Sequence, residues 1–107
     1  MLGGFVPNPL LPTKITQRFN LMPTISMFYG ILIQMYWDEH APPHFHANYG
    51  EYKATVLIKD LCMGDGDLPR RAKQLVLDWA ELHQKELLED WDLCQSNQHP
   101  KPIDPLK

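Results

Sequence analysis

Pro42 and Pro43 stand side by side between two apolar runs, and this pair limits the fold more than any other feature of the chain. Proline locks φ, lacks an N–H and pushes the residue before it out of the helical region, so a continuous helix cannot pass through this point. The flanking runs instead alternate with period two, which places successive side chains on opposite faces of a strand. Strands are expected over residues 25–28, 31–37, 44–48 and 52–59. Tyr29-Gly30 supplies a two-residue hairpin connection in which glycine tolerates positive φ, and Tyr49-Gly50 supplies the next turn. The alternation sends Ile31, Ile33, Met35, Phe45, Ala47, Tyr52, Ala54, Val56 and Ile58 to one face. Gln34, Tyr36, His44, His46, Lys53 and Thr55 then share the other.

Pro69 opens the next segment, at a position where proline's missing N–H would be unsatisfied in any case. Ala72, Leu75, Val76, Trp79, Leu82, Leu87 and Trp91 follow at helical spacing as one apolar stripe, with Glu81 and Lys85 paired on the wet side. A helix over 69–93 measures roughly 37 Å at 1.5 Å per residue, longer than a strand of about 20 Å. Leu87, Leu88 and Trp91 would then project as a surface for a partner or a second copy of the chain. The alternative is a break near residues 85–86 that folds the last turns back. The expected class is α+β: an antiparallel four-stranded meander with one long C-terminal helix on one face.

The chain has 107 residues, is 44% hydrophobic and carries a net charge of −3. That size suits one domain. Residues 1–21 hold Lys14 and Arg18 without an acid, and residues 99–107 are +1, so residues 22–98 carry −6. A body so acidic lacks the basic footprint of a general nucleic-acid binder. No apolar run approaches the ~20 residues that span a bilayer, and the start does not read as a signal peptide. Cys62 and Cys94 make neither a short metal-ligand pair nor a disulfide framework, which suits a cytoplasmic setting. Proline-broken ends are expected to be flexible: an N-terminal extension over 1–21, with Met22 as an alternative start, and a tail over 96–107 around a domain at 22–95.

Three of the five histidines, His40, His44 and His46, fall within seven positions. As residues i and i+2 of one strand, His44 and His46 can reach a common ion, and His40 could add a third ligand from the preceding loop. The spacing is weak as a metal motif, and the expectation is no metal and no cofactor, with imidazoles that titrate near neutral pH. The second chemistry is metal-free cleavage of RNA by its 2′-hydroxyl, which needs a base, an acid and a cation. His44, His46, Tyr36 and Lys53 supply those types on one face. The bland reading is a rigid strand entry whose histidines make surface hydrogen bonds. Arg70, Arg71 and Lys73 place positive charge at a helix N-terminus, against the macrodipole; they form either an anion or RNA site or a solvated turn paired with Asp65 and Asp67. Gly64-Asp65-Gly66-Asp67 lacks the order of a calcium loop and reads as a turn, with Asp67 helping to cap the helix.

These residues also carry a family pattern. Met22-Pro23-Thr24-Ile25, Phe28-Tyr29-Gly30-Ile31, Met35-Tyr36, His40-Ala41-Pro42-Pro43-His44-Phe45-His46-Ala47, Tyr49-Gly50-Glu51, Leu68-Pro69, Trp79, Glu86-Leu87 and Trp91 occur in the order seen in a bacterial domain-of-unknown-function family of small proteins. The chain resembles that family from Met22 to about Leu93. The resemblance implies a toxin-like component of a type II toxin–antitoxin pair, with a cognate small antitoxin-like protein as partner. It supplies neither a reaction nor catalytic residues. The competing expectations are a non-enzymatic interaction module and a histidine-ligated metal protein.

Overall fold

The computed structural model describes residues 23–37 and 39–107; the expected extension over 1–21 and the Met22 start lie outside the described residues. Five strands, β1 (Thr24–Phe28), β2 (Ile31–Gln34), β3 (His44–Tyr49), β4 (Tyr52–Leu57) and β5 (Cys62–Gly66), precede two helices, α1 (Arg70–Leu82) and α2 (Gln84–Gln95). The strands form one antiparallel meander in sequence order. Tyr29 and Gly30 both adopt positive φ, 50° and 78°, as a type I′ hairpin demands.

The α+β class holds, with two corrections of detail. The first is the fifth strand. Gly64-Asp65-Gly66, read as a turn, is part of β5 and pairs with β4. Its glycines are there because the strands come too close for a side chain: a Cβ on Gly66, at φ +79°, would stand 2.2 Å from the Lys53 carbonyl oxygen. Short apolar content and two glycines hid this strand from a reading based on alternation.

The second correction is the helix. The expected single helix breaks at His83, whose φ and ψ are −121° and 24°. The break lies a little before the 85–86 alternative. Gln84 anchors the junction by donating from Nε2 to the Ile58 and Lys59 carbonyls at 2.8 and 3.2 Å. Leu82, assigned to the apolar stripe, is 70% exposed as a result. Leu87 and Trp91 turn into the core, and Leu88 packs against it, so the surface expected to receive a partner or a second copy is spent on folding.

Ile31, Ile33, Phe45, Ala47, Ala54 and Val56 form the buried sheet face, met by Ala72, Val76, Trp79, Ala80, Leu87 and Cys94. Trp79 is the hub, with ring centroids 5.2 Å from Phe28 and 5.7 Å from Phe45. Its indole N–H donates to the Asp104 carbonyl at 2.7 Å. The C-terminal tail, expected to be loose, is therefore docked. Ile103 is buried and its N–H donates to Ile25 at 2.8 Å, while the Lys101 N–H donates to Asp90 Oδ1 at 2.8 Å. Prolines do not prevent docking where the residues between them find partners.

Candidate functional site

The sheet register sets the polar face. Gln34 lies opposite His46, His46 opposite Thr55, and Asn48 opposite Lys53, so these side chains form one patch on the face turned away from the buried one. Asn48 Nδ2 donates to Gln34 Oε1 at 2.9 Å and knits β3 to β2. His46, Tyr36, Asn48, Lys53 and Thr55 line a concavity of about 190 Å³. A neighbouring concavity of about 270 Å³ is lined by His40, Pro42, His44, Thr55 and Asp65.

At the start of β3 the two imidazoles converge on one carboxylate. Glu39 Oε1 lies 2.6 Å from His46 Nε2 and 3.1 Å from His44 Nε2. Glu39 itself is held by its backbone carbonyl, which accepts from Gln95 Nε2 at 3.0 Å, a link from the end of α2. The Ala41–Pro42 peptide in the intervening loop is cis. His44 Nδ1 donates to the Pro42 carbonyl at 2.8 Å. A carbonyl oxygen only accepts, so Nδ1 carries the hydrogen and Nε2 is the nitrogen facing Glu39. His46 is held by stacking on Tyr36, with centroids 4.0 Å apart and rings 11° from parallel. The Tyr36 hydroxyl is raised above its ordinary pKa, first by burial and second by the Glu39 charge.

The structure thus brings His44, His46 and Tyr36 into one cluster and sets Lys53 beside the same concavity. It does not bring Arg70, Arg71 and Lys73 there. Lys73 pairs with Asp67 at 3.0 Å, and Arg71 lines a different concavity with Tyr29, Ile31, Tyr49 and Pro69. Asp67 makes no side-chain cap on α1; its carboxyl is lowered chiefly by the Lys73 hydrogen bond. Leu87, Leu88 and Trp91 belong to the core, although Trp91 also touches His44, with centroids 5.2 Å apart. His40 is exposed, and the third member of the histidine group is Glu39. Sequence reasoning missed Glu39 because it lies five and seven residues upstream, across a loop whose path no periodicity describes. The only available signal was an acid adjoining a histidine-rich run.

Fold and site define a small α+β protein with a His–His–Glu cluster at the start of β3, where Trp91 and Gln95 of α2 reach it. The chain belongs to the family described as Domain of unknown function (DUF4160), whose model matches residues 30–92. No curated protein and no solved structure shows significant similarity to it. Among the described residues, no helix is long and apolar enough to cross a membrane.

Proposed function

We propose that this protein is a toxin-like component of a type II toxin–antitoxin pair that cleaves RNA at its histidine-bearing sheet face. The observation supporting this reading is the convergence of Glu39, His44 and His46 beside a concavity lined by Tyr36 and Lys53. Cleavage of a phosphodiester requires groups that activate an oxygen nucleophile and a cation that offsets charge developing on the phosphate. The histidine–carboxylate cluster supplies the first and Lys53 the second. An acidic body restricts phosphate approach to such a local site, and the bacterial toxin–antitoxin part of the reading rests on what the family resemblance implies.

The test is expression without the partner, with growth and RNA cleavage followed for wild type and the double variant His44→Gln/His46→Gln. Wild type should inhibit growth and cleave RNA. The double variant should lose both while still binding the antitoxin-like protein. A wild-type protein that neither inhibits growth nor cleaves RNA overturns the reading.

A second reading, a non-enzymatic interaction module, is favoured by the exposure of Met27, Tyr29, Tyr49 and Tyr52. Large aromatic side chains left in water are the usual anchors of protein interfaces. On that reading partner binding depends on Tyr29 and Tyr49 and is indifferent to His44 and His46.

A further inference from the structure

We propose that Glu39, His44 and His46 together hold one divalent transition-metal ion. The ion would occupy the imidazole nitrogens that the RNA reading uses, and the test below reads ion binding without RNA, so that either reading can fail without the other.

The argument begins with what lies between the three atoms. His44 Nδ1 donates to Pro42, so in a neutral ring Nε2 presents a lone pair toward Glu39 Oε1, 3.1 Å away. An ionised carboxylate also offers only lone pairs. Two acceptors at that distance repel unless a cation stands between them. The same oxygen faces a second imidazole nitrogen, that of His46, at 2.6 Å. A proton can fill the His44 gap only if that ring becomes a cation, since its Nδ1 already carries a hydrogen, whereas His46 can donate to Glu39 as a neutral Nε2–H tautomer. One divalent ion satisfies the carboxylate and both imidazole nitrogens at once, with His46 in its Nδ1–H form.

The geometry suits the ion. The donor atoms of Glu39, His44 and His46 all lie within 4.8 Å of one another. Bonds of about 2.0–2.1 Å to a tetrahedral ion put its ligands roughly 3.3 Å apart, so Glu39 needs to move about 0.2 Å further from His44, now at 3.1 Å, and about 0.7 Å further from His46, now at 2.6 Å. The His44 N–H on a backbone carbonyl is the outer hydrogen bond that metal-bound imidazoles regularly make; it fixes the tautomer and aims Nε2. His46 is steered by its stack on Tyr36, and Glu39 by Gln95. Two histidines and one carboxylate leave further coordination positions open, as in hydrolytic zinc sites and iron(II) oxygenase sites. The concavities lined by His44 and by His46 adjoin the cluster.

The test uses the purified chain with Zn2+ or Co2+ as the added ion and no RNA present. Wild type, first stripped with chelator, should take up about one ion per chain, and bound Co2+ should give the visible bands of a low-symmetry nitrogen–oxygen site. Glu39→Gln and His46→Gln should each weaken binding at least ~100-fold. His40→Gln and His83→Gln should bind as wild type does, since His40 is outside the cluster and His83 pairs with Glu86 elsewhere. Zn2+ should raise the melting temperature of wild type and leave that of Glu39→Gln unchanged, which separates ion binding from a fold defect seen without metal. Failure of wild type to bind either ion overturns the proposal. Equal affinity in wild type and Glu39→Gln also overturns it, as does a loss of binding in His40→Gln or His83→Gln as large as that in His46→Gln.

Discussion

The ring of Trp91 lies 5.2 Å from that of His44, at an interplanar angle of 49°, so the helix that closes the core also touches the histidine cluster. Gln95, one turn further on, holds the Glu39 carbonyl. The C-terminal helix is therefore the outer support of the site, and damage to it should be felt in both stability and histidine chemistry.

Trp91→Ala should destabilise the fold by about 3–5 kcal/mol, the range for removing a buried large aromatic side chain, since Trp91 is 6% exposed. Trp91→Phe should keep most of the packing and cost less. Urea unfolding measures the loss, and the His44 ring resonances should shift in both variants.

Asp90 makes stability depend on pH. It is buried, Oδ1 accepts from the Lys101 N–H, and Oδ2 has no partner among the described residues. Its pKa is raised from 3.8 to about 6, chiefly by burial. Well below pH 4 the carboxyl is protonated in both folded and unfolded chains. As pH rises toward 6 the unfolded chain releases the proton while the folded one retains it, so stability falls by roughly 2–3 kcal/mol and then levels off. Asp90→Asn should lack this fall. Melting temperatures of the two proteins between pH 4 and 7 should diverge with rising pH, and parallel curves would refute the assignment.

The docked tail is testable by truncation. Ile103 is 5% exposed, and Asp104 satisfies the Trp79 indole. Ile103→Ala should cost about 2–4 kcal/mol. Removing residues 99–107 should cost more, because it also leaves the buried Trp79 N–H without an acceptor. A melting temperature unchanged by the truncation would restore the expectation of a loose tail.

The two thiols should differ sharply in reactivity. Cys62 is exposed and Cys94 is buried, and burial, with Asp90 and Glu39 adding to it, pushes the Cys94 thiol up to about 12. A thiol reagent at pH 8 should label one cysteine rapidly in the native protein and the second only on unfolding. Mass spectrometry of digested, labelled chain identifies which.

Gly66→Ala should be among the most damaging of small changes. The new methyl would meet the Lys53 carbonyl in a backbone conformation that side chains rarely adopt. We expect at least ~2 kcal/mol of lost stability, with β5 the first strand to lose hydrogen-exchange protection.

Much of this architecture can be read without coordinates. Period-two alternation assigned β1 to β4, and Pro69 with the following stripe assigned the start of α1 and its buried face. The same alternation put His44, His46, Gln34, Lys53 and Thr55 on one side of the sheet, which the register reproduces. These are local consequences of strand and helix geometry, so a single sequence contains them. β5 escaped because its identity rests on the close approach of a neighbouring strand, and the second helix was legible only as an alternative, a break near residues 85–86, because its residues also fit a continuous stripe.

What the sequence by itself determined is the material of the site: paired imidazoles on one strand, turned away from the core, with prolines setting the strand's entry. Only the tertiary structure decided that Glu39 joins them, that His40 and the Arg70–Lys73 charges do not, and that Leu87 and Trp91 fold inward rather than project. The physical reason is the range of the forces concerned. Side-chain alternation is fixed by the backbone residue by residue, whereas the path of the 39–43 loop and the bend at His83 are set by long-range contacts. Gln84 to Ile58, Gln95 to Glu39 and Trp91 to His44 join residues 26, 56 and 47 positions apart, and no local pattern encodes such pairs.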